Sequence, residues 1–175
     1  GRAELGGSLA GMTEGAGRVR DIVADLRRLS SDRRAHDAVF DLGQITRKAV
    51  SWVLSACGRD IATTLDMDTP LEIAGHSGQI QQVIMNLVQN AVDATDTVPA
   101  PHLFITAHLR GGQAVLEVTD NGPGFADEIA PRIFDPFFTT KPVGKGTGLG
   151  LAICYRTVHE HGGTLQARSR PGQGA

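Results

Sequence analysis

GQIQQVIMNLVQNAVDA, residues 78–94, decides how the rest of the chain is read. Ile80, Val83, Ile84, Leu87, Val88 and Ala91 recur at steps of three and four. At about 100° per residue they fall on one face, which predicts a helix over Gly78–Ala94. Gln82, Asn86, Asn90 and Asp93 form a second stripe beside that face, with Asn90 nearest its edge. On most amphipathic helices such a stripe is simply solvated. A row of side-chain oxygens is also what a magnesium ion prefers, and that ion keeps waters and phosphate oxygens around it. The neutral carbonyl of Asn90 suits the role when a triphosphate already supplies the negative charge.

Outward from this helix the pattern alternates. Upstream, a strand over Val39–Leu42, a helix over Gln44–Cys57 and strands over Ile61–Met67 and Leu71–Ala74 are expected. Downstream, Pro99 and Pro101 break the chain before strands Leu103–Leu109 and Ala114–Thr119, joined by a Gly111-Gly112 hairpin turn. A helix over Leu149–His161 and a strand over Thr164–Arg168 follow. Helices interleaved with hairpin-linked strands imply an α+β sandwich, with helices on one face of a mixed sheet. At the other end, Leu5, Met12, Val19 and Leu26 fall seven apart, a bundle-helix spacing running to Leu29 and weakened by Gly6, Gly7, Gly11, Gly15 and Gly17. The hydrophilic stretch Ser31–Asp37 then reads as a linker.

Two loops carry further chemistry. In Asp120-Asn121-Gly122-Pro123-Gly124-Phe125, strand alternation puts Leu116, Val118 and Asp120 on the core side. A carboxylate there needs a partner, and an adenine amine supplies one, with the glycines letting the base approach. The second loop runs from Arg132 through Phe134-Asp135-Pro136-Phe137-Phe138-Thr139-Thr140-Lys141 to Gly144-Lys145-Gly146-Thr147-Gly148-Leu149. Its glycines sit where loop becomes helix, so backbone N–H groups are left to hold phosphate. The spacing is that of neither a Walker loop nor a dinucleotide fingerprint. Three Phe within five positions favour a lid on an aromatic hinge over a purely solvated loop.

Composition narrows the class. The 175 residues carry 17 Lys+Arg against 19 Asp+Glu and only 5% aromatics, which argues against nucleic acid or an anionic membrane as the main partner. Cys57 and Cys154 lie in apolar helical patterns without zinc or redox spacing, and read as free thiols. The apolar run Ala49–Cys57 is too short to span a bilayer, and the expected location is the cytoplasm.

The segments, in this order, resemble the sensor histidine kinases. Gln82–Ala94 resembles their N box, Asp120-Asn-Gly-Pro-Gly their first glycine box and Phe134–Lys141 their F box. Gly146-Thr-Gly-Leu-Gly-Leu resembles the second glycine box, and His161-Gly-Gly-Thr the usual sequel. The Phe-Phe-Thr-Thr-Lys run is most similar to the nitrogen-regulation type. The resemblance implies a Bergerat-type α/β sandwich over residues 35–175, preceded over 1–34 by the second helix of a dimerisation and phosphoacceptor domain. It implies ATP and Mg2+ as ligands, with Asn90 on the metal and Asp120 on the adenine. Gly122, Gly124, Gly146, Gly148 and Leu149 would shape the pocket, and Thr140, Lys141 and Thr147 would approach the phosphates. Asn86, Asp93 and Arg132 complete the implied set. The implied partners are the protein's own dimerisation and phosphoacceptor domain, as a homodimer, and a response-regulator receiver domain.

Three departures qualify the match. No phosphoacceptor His followed by an acidic residue stands on a preceding helix; His36, His76, His102, His108, His159 and His161 all lie in other contexts. Asp93 stands where many of these kinases have a basic residue, and the chain stops at Ala175 where the family normally continues with a Thr and a final strand. Hydrolytic relatives of the same fold carry a glutamate base one turn before the metal-binding Asn. Here that position is Asn86, an amide that takes no proton from water, so the expected reaction is transfer to a histidine outside these residues. A serine kinase of the anti-sigma-factor type and a nucleotide-binding pseudokinase remain the alternatives.

Overall fold

The computed structural model describes residues 38–142 and 146–175, so the expected bundle helix, the linker and Gly144-Lys145 lie outside the described residues. Strand β1 (Ala38–Asp41) leads straight into helix α1 (Leu42–Cys57). Asp41 starts that helix: its Oδ1 accepts the N–H groups of Gly43 at 2.9 Å and Leu71 at 3.2 Å, so it also ties in the segment ahead of strand β3 (Glu72–Gly75). Helix α1 ends at Gly58, whose φ of 67° lets the chain reverse into strand β2 (Ala62–Met67). Helix α2 (Ser77–Ala94) holds the N-box residues and is capped by His76, whose Nδ1 accepts the N–H of Gln79.

Strands β4 (His102–Arg110) and β5 (Gln113–Asp120) form the expected hairpin, antiparallel from Leu103↔Asp120 to Arg110↔Gln113. Gly111 and Gly112 turn it with φ of 59° and 80°, both in the region that only glycine occupies cheaply. β2 joins the other edge of β4 in parallel, from Ala62↔His102 to Met67↔Ala107, giving a mixed sheet in the order β2-β4-β5. Leu103, Ile105 and Ala107 of β4 point inward, with Leu116 and Val118 of β5 and Leu65 of β2 beside them. They pack against Ala49, Val50 and Val53 of α1 and Ile80, Ile84, Val88 and Ala91 of α2. On the opposite face of β4, Phe104 is half-exposed while Thr106 is buried. This is the α+β sandwich with helices on one face.

Helix α3 (Gly150–Glu160) lies against α2 and buries Ile153 and Cys154. Burial pushes the Cys154 thiol up to about 12, so it is an inert part of the packing. Just after α3, His161 Nδ1 donates to the carbonyl of Thr157, leaving Nε2 to accept the N–H of His76 at 3.0 Å. One ring thereby joins the end of α3 to the start of α2.

Among the described residues, β1 and β3 pair with each other, from Ala38↔Gly75 to Asp41↔Glu72, as a two-stranded ribbon beside the mixed sheet. One expectation is corrected. Thr164–Arg168 forms no ladder among the described residues. The hydrogen bonds of that end go into a local turn instead, with Arg170 bridged to Gly174 and the Gly172 N–H donating to Pro123.

Candidate functional site

The polar stripe on α2 is where the sequence places it, along the edge of the buried face, with Gln82, Asn86, Asn90 and Asp93 all partly exposed. Neighbours one turn apart tie the stripe together: Gln82 Nε2 donates to Asn86 Oδ1 at 3.1 Å, and Gln89 Nε2 to Asp93 Oδ1 at 2.7 Å. Asn86 also faces the Cys154 thiol. The outer ends of Asn90 and Asp93 meet a cation from the lid. Lys141 Nζ lies 3.1 Å from Asn90 Oδ1 and 2.5 Å from Asp93 Oδ2.

Asp120 ends β5 and is 8% exposed. Its Oδ1 accepts the Gly122 N–H at 2.8 Å, closing a tight Asx turn. Burial raises its carboxyl above the ordinary aspartate value, and the N–H groups of Gly122 and Ala175 pull it partly back. Gly122 is where this loop touches α2: a Cβ there would stand 2.7 Å from the carbonyl oxygen of Ala94. Only glycine lets the Asp120 turn approach the end of the asparagine helix this closely. Asn121 anchors the other side, accepting from the His102 N–H and donating to the Ala100 carbonyl, both at 2.8 Å. Gly124 packs on Ser169, whose hydroxyl accepts the Phe125 N–H and donates to the Gly174 carbonyl. A cavity of about 650 Å3 lies on the far side of Asn121, between Asp60, Pro101 and His102, and neither Asp120 nor the α2 stripe lines it.

The lid is a succession of turns with one 3-10 turn, Ala130–Arg132, and a buried Ile133. Its aromatics divide the work. Phe134 stacks on Tyr155 of α3 with ring centres 5.2 Å apart, and Phe138 lies under the Arg132 guanidinium at 4.6 Å. Phe137 is 64% exposed, with a φ of 67°, and its N–H donates to the Gly148 carbonyl at 2.9 Å. Gly148 faces it with a φ of 68°, and a Cβ there would lie 2.5 Å from the Phe137 carbonyl carbon. Thr147 Oγ1 accepts the N–H of the buried Leu149, which opens α3. Gly146 lies beside Lys141 and Thr139.

Asn90, Asp93 and Lys141 are therefore brought together, and Asp120 and Gly122 join them at the end of the same helix. Arg132 is not brought in: it is held by Phe138 and Asp135. Thr140 is exposed, while Thr139 makes the loop's turn by accepting the Lys141 N–H. Arg59, which the sequence reading passed over, donates to the carbonyls of Val92 and Thr95 at 2.8 and 3.2 Å and so fixes the end of α2. A lone Arg in a loop gives no sequence signal of that role.

The fold and the loops together define a nucleotide-binding domain of the ATPase class. The chain belongs to the histidine kinase-, DNA gyrase B- and HSP90-like ATPase family, whose profile matches residues 75–175. Its relatives include sensor kinases. The chain is 33% identical over 166 residues to the sensor histidine kinase ZraS of Escherichia coli K12, covering 94% of this chain and 35% of that protein. To the sensor kinase CckA of Brucella abortus it is 32% identical, covering 92% of this chain and 18% of that one. The catalytic domain of the histidine kinase ThkA superposes with a TM-score of 0.71 at 29% identity, over 80% of this chain and 91% of that domain. The chain thus carries the ATP-binding catalytic domain of the histidine kinase type, and spans only about a fifth to a third of the curated relatives it matches. Among the described residues no helix is long and apolar enough to cross a membrane.

Proposed function

We propose that this domain binds Mg2+-ATP between α2, the Asp120 turn and the lid, and passes the γ-phosphoryl group to a histidine outside these residues. One observation carries the reading of transfer over hydrolysis. The position one turn before Asn90 is Asn86, an amide whose Oδ1 accepts from Gln82 Nε2. An amide takes no proton from water. A neutral imidazole needs no such help, since it is nucleophilic near its reference pKa of about 6.5.

The donor set suits a magnesium ion. Asn90 Oδ1 already accepts from a cationic group, the Lys141 ammonium, which also meets the carboxylate oxygen of Asp93, and both are hard oxygen donors. A bound magnesium would supply charge neutralisation for the phosphates. The rest falls to the chain's own groups. Asp120 would accept the exocyclic amine of adenine. The backbone around Gly146 and Gly148 would line the phosphates, and Lys141 would bring a positive charge to them. The proposed partners are a phosphoacceptor and dimerisation domain and, downstream, a receiver domain of a two-component system.

The test uses the chain with radiolabelled ATP. Alone it should bind ATP, label itself negligibly and turn over ATP very slowly. Adding a separate phosphoacceptor domain from the parent protein should give a label lost in acid and kept in alkali, and Asn90→Ala should abolish it. An acid-stable label would establish the serine-kinase reading. Rapid phosphate release by the chain alone would place it with the hydrolytic branch, and binding without any transfer would make it a pseudokinase.

A further inference from the structure

Asp93 and Lys141 stand 48 residues apart in sequence, yet the lid lysine lands on the carboxylate and on the Asn90 amide at once. Both side chains are about one-third exposed, Lys141 at 32% and Asp93 at 35%, so the pair is partly sheltered from solvent. The Gln89 amide on Asp93 Oδ1 turns the carboxylate so that Oδ2 meets the ammonium. The cation sits on the very oxygen read above as the metal ligand. A magnesium ion binds its oxygens at about 2.0–2.1 Å. With the ammonium 3.1 Å from the same Asn90 oxygen, the two positive charges would repel at close range.

We propose that Lys141 is a built-in counter-cation of the magnesium position, so that nucleotide loading is an exchange of cations. In the nucleotide-free protein the ammonium covers Asn90 Oδ1 and neutralises Asp93. On loading, Lys141 gives up the Asn90 oxygen and turns to the phosphates, while Asp93 keeps its hydrogen bond from Gln89. Lys141 follows directly on the segment anchored by Phe134 and Phe138, so its departure from α2 releases the end of the lid. An aspartate at position 93 is what makes the device work. A fixed basic residue there would repel Lys141 and leave the lid without a dock on α2. The proposal rests on the reading of Asn90 as the metal ligand.

Magnesium titrations of a non-hydrolysable ATP analogue, with the unmodified chain, Lys141→Met, Lys141→Arg and Asn90→Ala, test it. Lys141→Met should lower the half-saturating magnesium concentration about three- to tenfold, because Asp93 then attracts the metal unopposed. Lys141→Arg should stay near the unmodified value. Without nucleotide or magnesium, hydrogen exchange over residues 126–142 should be faster in Lys141→Met than in the unmodified chain. A midpoint that is unchanged or higher in Lys141→Met, or lid exchange that does not change, overturns the exchange. Analogue binding that ignores magnesium in the unmodified chain overturns the reading of Asn90 itself, and the two failures are thereby told apart.

Discussion

Asp120 shows what a buried carboxylate, proposed here to hold the adenine, costs its fold. The carboxylate is almost wholly buried, and burial raises its pKa above the ordinary 3.8. A native state that holds a proton more tightly than the unfolded chain gains stability below the unfolded pKa and loses it as pH rises through the folded one. At neutral pH the ionised Asp120 therefore works against folding. Asp120→Asn keeps an oxygen for the Gly122 N–H and removes the charge. Urea unfolding should find it at least as stable as the parent at pH 7, the difference shrinking as pH falls toward 3.8. A clear loss of stability at pH 7 would mean that the charge is structural. Asp68 behaves in the opposite sense. The Leu109 N–H and His108 hold its carboxyl below the usual value, so its contribution is present above 3.8 and fades as pH falls through the folded pKa. Asp120 was legible in the sequence because strand alternation forced its side chain inward. The Lys141 dock was not, since nothing local relates residue 141 to residue 93.

At the scale of elements, the placement of α2 governs the site, because Asn86, Asn90 and Asp93 all ride on it. Its apolar stripe was legible as a 3.6-residue period, and its start and end came within a residue of those observed. Its tethers were not legible: the His161 ring at one end and the Arg59 guanidinium at the other arise only when distant segments meet. Arg59→Ala strips two charge-assisted hydrogen bonds from the last turn and should cost about 1.5–3 kcal/mol, read as a lower urea midpoint with unchanged slope. The lid joins the glycine loop at the facing pair Phe137 and Gly148. Gly148→Ala should cost about 1–2 kcal/mol from its φ of 68° alone, before the clash with the Phe137 backbone is counted. Calorimetry should find its nucleotide affinity reduced while far-ultraviolet circular dichroism is unchanged. The misjudged strand at Thr164–Arg168 belongs to this scale too. Its alternating composition suits a strand, but pairing needs a neighbour, and the turn through Gly172 and Gly174 takes this end of the chain back onto Pro123.

For the whole molecule, the sandwich follows from periodicity: two-residue alternation in β4 and β5 and a helical stripe in α1 and α2 meet in one core around Ile84, Val88, Leu103 and Ile105. Strand partnership did not follow. Whether β1 and β3 extend the main sheet or pair alone depends on tertiary approach, and the ribbon they form was visible only in the structure. The proposed nucleotide site draws on three places that the fold brings to one end of α2: the Asn90–Asp93 stripe, the Asp120 turn and Lys141. Titration calorimetry of Mg2+-ATP into the chain, into Asp120→Asn and into Asn90→Ala tests it most directly. The parent should bind saturably, Asp120→Asn should lose at least tenfold in affinity while remaining folded, and Asn90→Ala should lose the magnesium dependence. Equal ATP affinity in the parent and Asp120→Asn would contradict it.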